Sequence, residues 1–302
     1  MKYLKLTLAI LYTTTLFAQN KPETLNRPKL VVGVVVDQMR YDYWYRYYDK
    51  YSEGGFKRML REGFNCRNHH YNYALTVTAA GHASVYTGSI PAIHGIVGND
   101  WYDRKLRKGM YCVGDSTVQS VGTPNSAGKM SPKNLLTSTI TDQLRIGNNY
   151  QGKTIGVAIK DRGAILPAGH TANGAYWFDS RTGNWITSTF YKDELPKWVQ
   201  DFNESGAVTN YYGKNWNTMY PIATYTQSDT DINNYESAPL GEDQKGFPYD
   251  LKRFAEKKNY GIIRSTPYGN SLTFDFAKNA LISEQLGKDS ITDFLAISCS
   301  ST

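Results

Sequence analysis

Asp37 closes the apolar run Leu30-Val31-Val32-Gly33-Val34-Val35-Val36. A carboxylate at the end of a buried strand keeps its charge only with a partner. A metal ion is one such partner, and the free N–H groups of a following helix are another. Thr78 opens a second stretch, Thr78-Ala79-Ala80-Gly81-His82-Ala83-Ser84, whose small residues suit the start of a helix. A threonine there can cap the helix with its side-chain oxygen. The same place suits an anion, because helix N-termini attract phosphate. Beside a divalent metal the hydroxyl can also lose its proton and attack phosphorus. Lys160 and Arg162 flank Asp161 directly after another apolar run, 154–159. Alternate residues of an extended segment point the same way, so both cations could face one anion. Arg offers a fork to two oxygens and Lys a point charge. The plain alternative is a solvated charged loop. His82 and His94 each lack a second His three or four residues away, which favours a place in the core or behind a site over direct metal ligation.

The elements that must hold these residues follow from the apolar pattern. Runs 30–36, 154–159 and 294–298 are apolar on both faces and read as buried strands of a mainly parallel sheet. Helices are expected over 56–62, where Gly63 reads as the residue after the helix end, and over 78–87, stopped by Gly88. Two more are expected over 138–146 and 271–286. The fold class is therefore α/β, with a mainly parallel central sheet flanked by helices. From about residue 174 to 261 the pattern changes. A hairpin, 175–178 and 185–189, leads into a stretch rich in Tyr, Asn, Asp and Thr. This region reads as an insertion that caps the sheet. In open α/β sheets ligands bind beyond the carboxyl ends of the strands, which is where Asp37 and Lys160 fall. The sequence stops four residues past the 294–298 strand, where a loop would contribute to such a site, so the chain reads as truncated.

Composition narrows the function classes. The 302 residues allow one large domain or two average ones. Hydrophobics at 40% and charged residues at 20% exclude an acidic disordered tail and a coiled coil. Lys2 and Lys5 precede an apolar run, 6–17, which ends at Ala18. That is the pattern of a secretory signal peptide cleaved near Ala18, so the protein is expected in the periplasm or outside the cell. That run is too short to span a membrane, and no longer apolar run follows it. Losing Lys2 and Lys5 lowers the net charge of +7 by two. The remaining surplus suits small anionic substrates, and no dense Lys/Arg run points to nucleic acid. Cys66, Cys112 and Cys299 are an odd count without a Cys-x-x-Cys pair, which argues against a thiolate zinc site.

The ordered set becomes recognisable as a whole. Asp37 after the valine strand, Thr78-x-x-Gly81-His82-Ala83-Ser84, Thr87-Gly88, Pro91-x-x-His94-Gly95-Ile96 and Asn99 resemble the alkaline phosphatase superfamily. The resemblance is nearest to its type I phosphodiesterase/nucleotide pyrophosphatase branch. Lys160 and Arg162 add a resemblance to the phosphate-irrepressible bacterial alkaline phosphatases (PafA type), and the ending Ser298-x-Ser300-Ser301-Thr302 fits the same group. The similarity covers residues 29–302. It implies an alkaline phosphatase-like fold with two zinc ions in the complete site. It implies Asp37 as a carboxylate ligand of one zinc and Thr78 as the nucleophile bound to that same zinc. Asn99 would donate to a phosphoryl oxygen, while Lys160 and Arg162 would hold the remaining oxygens and separate monoesters from diesters. The substrates implied are small phosphate monoesters, hydrolysed through a phosphothreonine. The other zinc ligands of the family lie in an Asp-x-x-x-His motif, an Asp-His pair and a late His. None of these occurs here, and the first would begin directly after Thr302. A phosphodiesterase of the same superfamily is one rival. A secreted carbohydrate- or cell-surface-binding module is another, with Tyr211, Tyr212, Trp216 and Tyr220 as its aromatic surface; those rings would equally pack a cap against the sheet.

Overall fold

The computed structural model describes residues 27–301 except 236, 237, 239 and 242, so the expected signal peptide lies outside the described residues. We number strands β1 (Leu30–Val36), β2 (Asp100–Asp103), β3 (Lys108–Tyr111), β4 (Ser120–Val121), β5 (Thr154–Ala158), β6 (Gly174–Asp179), β7 (Asn184–Ser188) and β8 (Asp293–Cys299). The central sheet has the order β1-β8-β5-β6-β7-β4. β1, β8, β5 and β6 run parallel, β7 pairs antiparallel with β6, and β4 pairs antiparallel with β7. The carboxyl ends of the four parallel strands therefore share one edge of the sheet. In the order β1, β8, β5, β6 they lead into Asp37, Ser300, Lys160 and Ser180.

Of the helices, we number α1 (Gly55–Glu62), α2 (Thr78–Thr87), α3 (Ile140–Gly147), α4 (Asp161–Ala168), α5 (Lys197–Glu204), α6 (Ala207–Tyr212) and α7 (Pro267–Ser283). On one face Leu272, Phe276 and Ala280 of α7 pack with Tyr176, Trp185 and Ile297 from the sheet. Val199 and Phe202 of α5 and Tyr212 of α6 complete that core. On the other face Ala164, Ile165 and Ala168 of α4 pack with Ala79 and Ala83 of α2 and Ala158 of β5. Gly156 lets α4 lie close, since a Cβ there would meet the Ala164 carbonyl oxygen at 2.3 Å. α3 starts with a capping box, in which Thr139 and Asp142 each accept from the other's backbone N–H.

Several expectations change. β5 and β8 are buried along their whole length, but β1 is not. Within the described residues β1 is an edge strand, and Val32 and Val34 are 47% and 43% exposed. Residues 174–188, expected to open the inserted region, form β6 and β7 of the central sheet; the buried aromatic run Tyr176-Trp177-Phe178 belongs to the core. Gly63 does end α1, but with extended backbone, φ −99°. A side chain is excluded there because its Cβ would lie 2.6 Å from the Met59 carbonyl oxygen. The segment holding Lys160 and Arg162 is not extended: α4 begins at Asp161. Tyr212 is a core residue, and Trp216 packs against Phe247 and Tyr249. Among the described residues all three cysteines are free, and no helix is long and apolar enough to cross a membrane.

Candidate active site

β1 delivers Asp37 to the sheet edge, where its backbone N–H donates to the Cys299 carbonyl at 2.9 Å. One oxygen of its carboxylate, Oδ2, collects the local donors. The Thr78 hydroxyl donates to it at 2.9 Å and the Ser300 hydroxyl at 3.2 Å. The Lys160 ammonium stands 4.0 Å away. Among the described residues no hydrogen bond reaches Oδ1.

Thr78 is the first residue of α2, and Val77 holds the capping position without a side-chain hydrogen bond. The capping reading of Thr78 is thus overturned, because its proton points at Asp37. The helix is served from elsewhere: Asn99 Oδ1 accepts from the Ala79 N–H at 3.0 Å. That bond fixes the amide and leaves the Asn99 Nδ2 donors for another acceptor. His82 lies beneath. Its Nδ1 is 2.7 Å from the Thr78 carbonyl oxygen and its Nε2 2.8 Å from Ser298 Oγ. Burial pushes the imidazole pKa down, so the ring is neutral, donates from Nδ1 and accepts at Nε2. His94 is also buried and meets the Ser84 hydroxyl at 3.0 Å. Both histidines support α2 and neither reaches Asp37.

Lys160 and Arg162 come from the end of β5 and the first turn of α4. Burial pushes the Lys160 ammonium pKa down, Asp37 pulls it up, and Arg162 and Arg264 push it down further. The Arg162 guanidinium donates to the Tyr111 hydroxyl at 3.0 Å, and that hydroxyl donates to Asp161 Oδ1 at 2.5 Å. Burial pulls the Arg162 pKa down, but Tyr111 and Asp161 raise it overall. Its Nε is buried without a partner among the described residues. Tyr111 and Asn99 share one support. In the β2–β3 hairpin Asp100 pairs with Tyr111, and the Cys112 N–H donates to the Asn99 carbonyl at 2.9 Å.

The structure therefore brings Asp37 and Thr78 into contact, sets Lys160 beside Asp37, places Asn99 at the start of α2 and holds Arg162 across from Tyr111. Tyr111, Asp161 and Ser300 are additions to the expected set. Tyr111 has no local signal among 24 tyrosines. Ser300 was visible only as part of the serine-rich ending. A metal fits these residues in part. Zinc takes four donors in a tetrahedron, and Asp37 with Thr78 offers one carboxylate and one hydroxyl. Among the described residues no three His, Cys, Asp or Glu side chains converge to hold a metal ion. The described residues thus provide part of a donor set and do not close one.

A parallel sheet with a carboxylate-bound threonine at a helix N-terminus and two cations across the strand edge is an α/β arrangement that suits an anionic ligand. The chain belongs to the type I phosphodiesterase/nucleotide pyrophosphatase family, which it matches over residues 31–265. It is 51% identical over 297 residues to alkaline phosphatase PafA of Elizabethkingia meningoseptica, spanning 98% of this chain and 54% of that protein. It is 51% identical over 310 residues to alkaline phosphatase PhoV of Synechococcus elongatus, spanning 100% and 56%. It is also 56% identical over 288 residues to a calcium-transporting ATPase of Myroides odoratus, spanning 95% and 53%. The crystal structure of wild-type PafA superposes with a TM-score of 0.90 at 52% identity, over 92% of this chain and 54% of that one. The chain spans about half the length of the curated relatives it matches.

Proposed function

We propose that this chain carries the nucleophile and phosphate clamp of a secreted alkaline phosphatase that hydrolyses small phosphate monoesters through a phosphothreonine at Thr78. The observation that carries the reading is the Thr78 hydroxyl donating to Asp37 while Asn99 serves the helix in its place. A hydroxyl already bonded to a carboxylate has a direction for its proton to leave. Attack of Thr78 Oγ1 on phosphorus forms the phosphothreonine and expels the alcohol, and water then cleaves the ester. The Asn99 amide, the Lys160 ammonium and the Arg162 guanidinium stabilise the charge on the other phosphoryl oxygens. Zinc, for which Asp37 and Thr78 would supply two donors, would contribute Lewis acidity that lowers the hydroxyl pKa. A solved variant of PafA carries Thr-to-Ser, Asn-to-Ala, Lys-to-Ala and Arg-to-Ala substitutions. Those residue types, in that order along the chain, are the types of Thr78, Asn99, Lys160 and Arg162, which supports the assignment. The signal-peptide pattern of residues 1–18 supports a periplasmic or secreted location.

Two cations favour a monoester dianion over a diester, which brings less charge. Arg162→Ala is expected to lower kcat/KM on an aryl monoester by roughly 2–4 kcal/mol of transition-state stabilisation, in the range of a lost oxyanion donor. The loss on the matching methyl diester is expected to be much smaller. Equal losses on the two esters would show that Arg162 does not read the extra charge and would favour a phosphodiesterase.

A further inference from the structure

Beyond the phosphate clamp the cleft continues into a cavity of about 300 Å³. Lys160, Asp161, Arg162, Asp179, Arg181 and Arg264 give its charged lining, and neither Asp37, Thr78 nor Asn99 reaches it. The cavity thus adjoins the expected phosphoryl position and shares only the clamp with it. The sheet order says on which side it lies. Asp37 follows β1 and Lys160 follows β5, while Arg181 sits in the turn after β6, one strand farther from Asp37. That strand spacing is ~4.8 Å. Arg264 comes from the turn Tyr260–Ser265, which packs on the β6–β7 turn: a Cβ on Gly183 would meet the Tyr260 ring at 3.0 Å.

The charges in this cavity are unbalanced. Asp161 is engaged by the Tyr111 hydroxyl, the Arg162 backbone N–H and, at 3.8 Å, the Arg162 guanidinium. Asp179 is 2% exposed and accepts from Thr123, Asn125, Thr182 and the Arg181 backbone N–H. Neither carboxylate is paired with the guanidinium of Arg181 or Arg264. Among the described residues neither guanidinium has an ion pair or a side-chain hydrogen bond. The Arg181 and Arg264 guanidinium groups gather around one cavity whose two carboxylates are engaged by other groups, and such a pair attracts an anion from outside the fold.

We infer that Arg181 and Arg264 form a second anion subsite, which receives a carboxylate or phosphate carried by the non-transferred part of the substrate. The inference rests on the monoesterase reading for its orientation: the phosphoryl group sits between Thr78 and the clamp, and the ester's alcohol portion extends over β6. The preferred substrate class is then phosphate monoesters that bear a further anionic group.

A binding measurement tests this without turnover. The full-length gene product would be titrated calorimetrically with (4-carboxyphenyl)phosphonate and with its neutral isostere, (4-carbamoylphenyl)phosphonate. One exposed and one half-buried charge contact predict that the carboxylate compound binds roughly three- to tenfold tighter. The preference should shrink in Arg264→Ala and in Arg181→Ala and vanish in the double variant. Arg181 is exposed on a turn, so its single variant remains informative if Arg264→Ala folds poorly. Equal affinity of the two phosphonates for the wild type, or a preference that survives the double variant, would overturn the subsite. Hydrolysis of the corresponding aryl phosphates, run in parallel, addresses the monoesterase reading separately. Failure of both esters to turn over would count against that reading, while the phosphonate affinities would still decide the subsite.

Discussion

The Arg162 guanidinium can act as a fork only if it is aimed. Tyr111 supplies the aim: its hydroxyl accepts from Arg162 and donates to Asp161, the neighbour of Arg162 in α4. Tyr111→Phe removes both bonds and leaves the ring in place. A hydrogen bond to a charged group is worth roughly 1.5–3 kcal/mol, so the variant should lose roughly 10- to 100-fold in kcat/KM on monoesters. The loss should be smaller than that of Arg162→Ala and carry the same bias against monoesters over diesters. A Tyr111→Phe enzyme with equal losses on both esters would mean that the phenol serves packing alone. Asp37 and Thr78 were legible in the sequence because strand ends and helix starts are local patterns. Tyr111 was not, because its role depends on the register of the β2–β3 hairpin and on a helix that begins fifty residues later.

At the scale of elements, the site depends on how closely α4 lies on β5. Gly156 permits that approach, and a Cβ there would also meet the Ala168 Cβ at 2.9 Å. Gly156→Ala should push α4 outward, cost about 1–3 kcal/mol of stability as overpacking, and misplace Lys160 and Arg162 together. A urea titration would show the lower midpoint, and turnover at saturating substrate should fall beyond what the folded fraction explains. Gly81→Ala is the contrast, since its nearest foreign atom is 3.9 Å away. It sits inside α2 and should be neutral or stabilising. Comparable losses in the two variants would show that the α4–β5 approach is not special. The buried strands β5 and β8 and the helix α2 could be read from apolar runs and small residues. α4 could not, since Asp161-Arg162-Gly163 combines charges with a helix-weakening glycine. The expected alternation of an extended segment gave the right neighbours for the wrong geometry: Lys160 stands at the cap of α4 and Arg162 in its first turn, and both line the same cavity. The start of the expected insertion failed for a related reason. Polar turn residues 180–183 separate two core strands whose aromatic side chains pair only in three dimensions.

For the whole molecule, the parallel order β1-β8-β5-β6 is what turns distant segments into one edge, because each carboxyl end lands next to the previous one. That logic made the sheet class predictable, while the edge position of β1 depends on what stands beside it and left no mark on its valine-rich sequence. The donor set gives a prediction at this scale. One carboxylate and one hydroxyl cannot hold two zinc ions against water. Purified 19–302 should therefore show negligible phosphatase turnover, with or without added zinc. Strong zinc-dependent turnover by that segment would mean that the described residues close a metal centre by a rearrangement.

Thr78→Ala in the full-length gene product tests the central claim most directly. Thr78→Ser does not discriminate, since serine keeps the hydroxyl in either role. If the hydroxyl only stabilises the start of α2 and Asp37, its loss costs about 1 kcal/mol of stability and leaves turnover at saturating monoester nearly unchanged. If it is the nucleophile, kcat falls by orders of magnitude while the fold, followed by circular dichroism and urea titration, persists. The account predicts the collapse of kcat in a folded protein. A folded Thr78→Ala enzyme with wild-type turnover would contradict it.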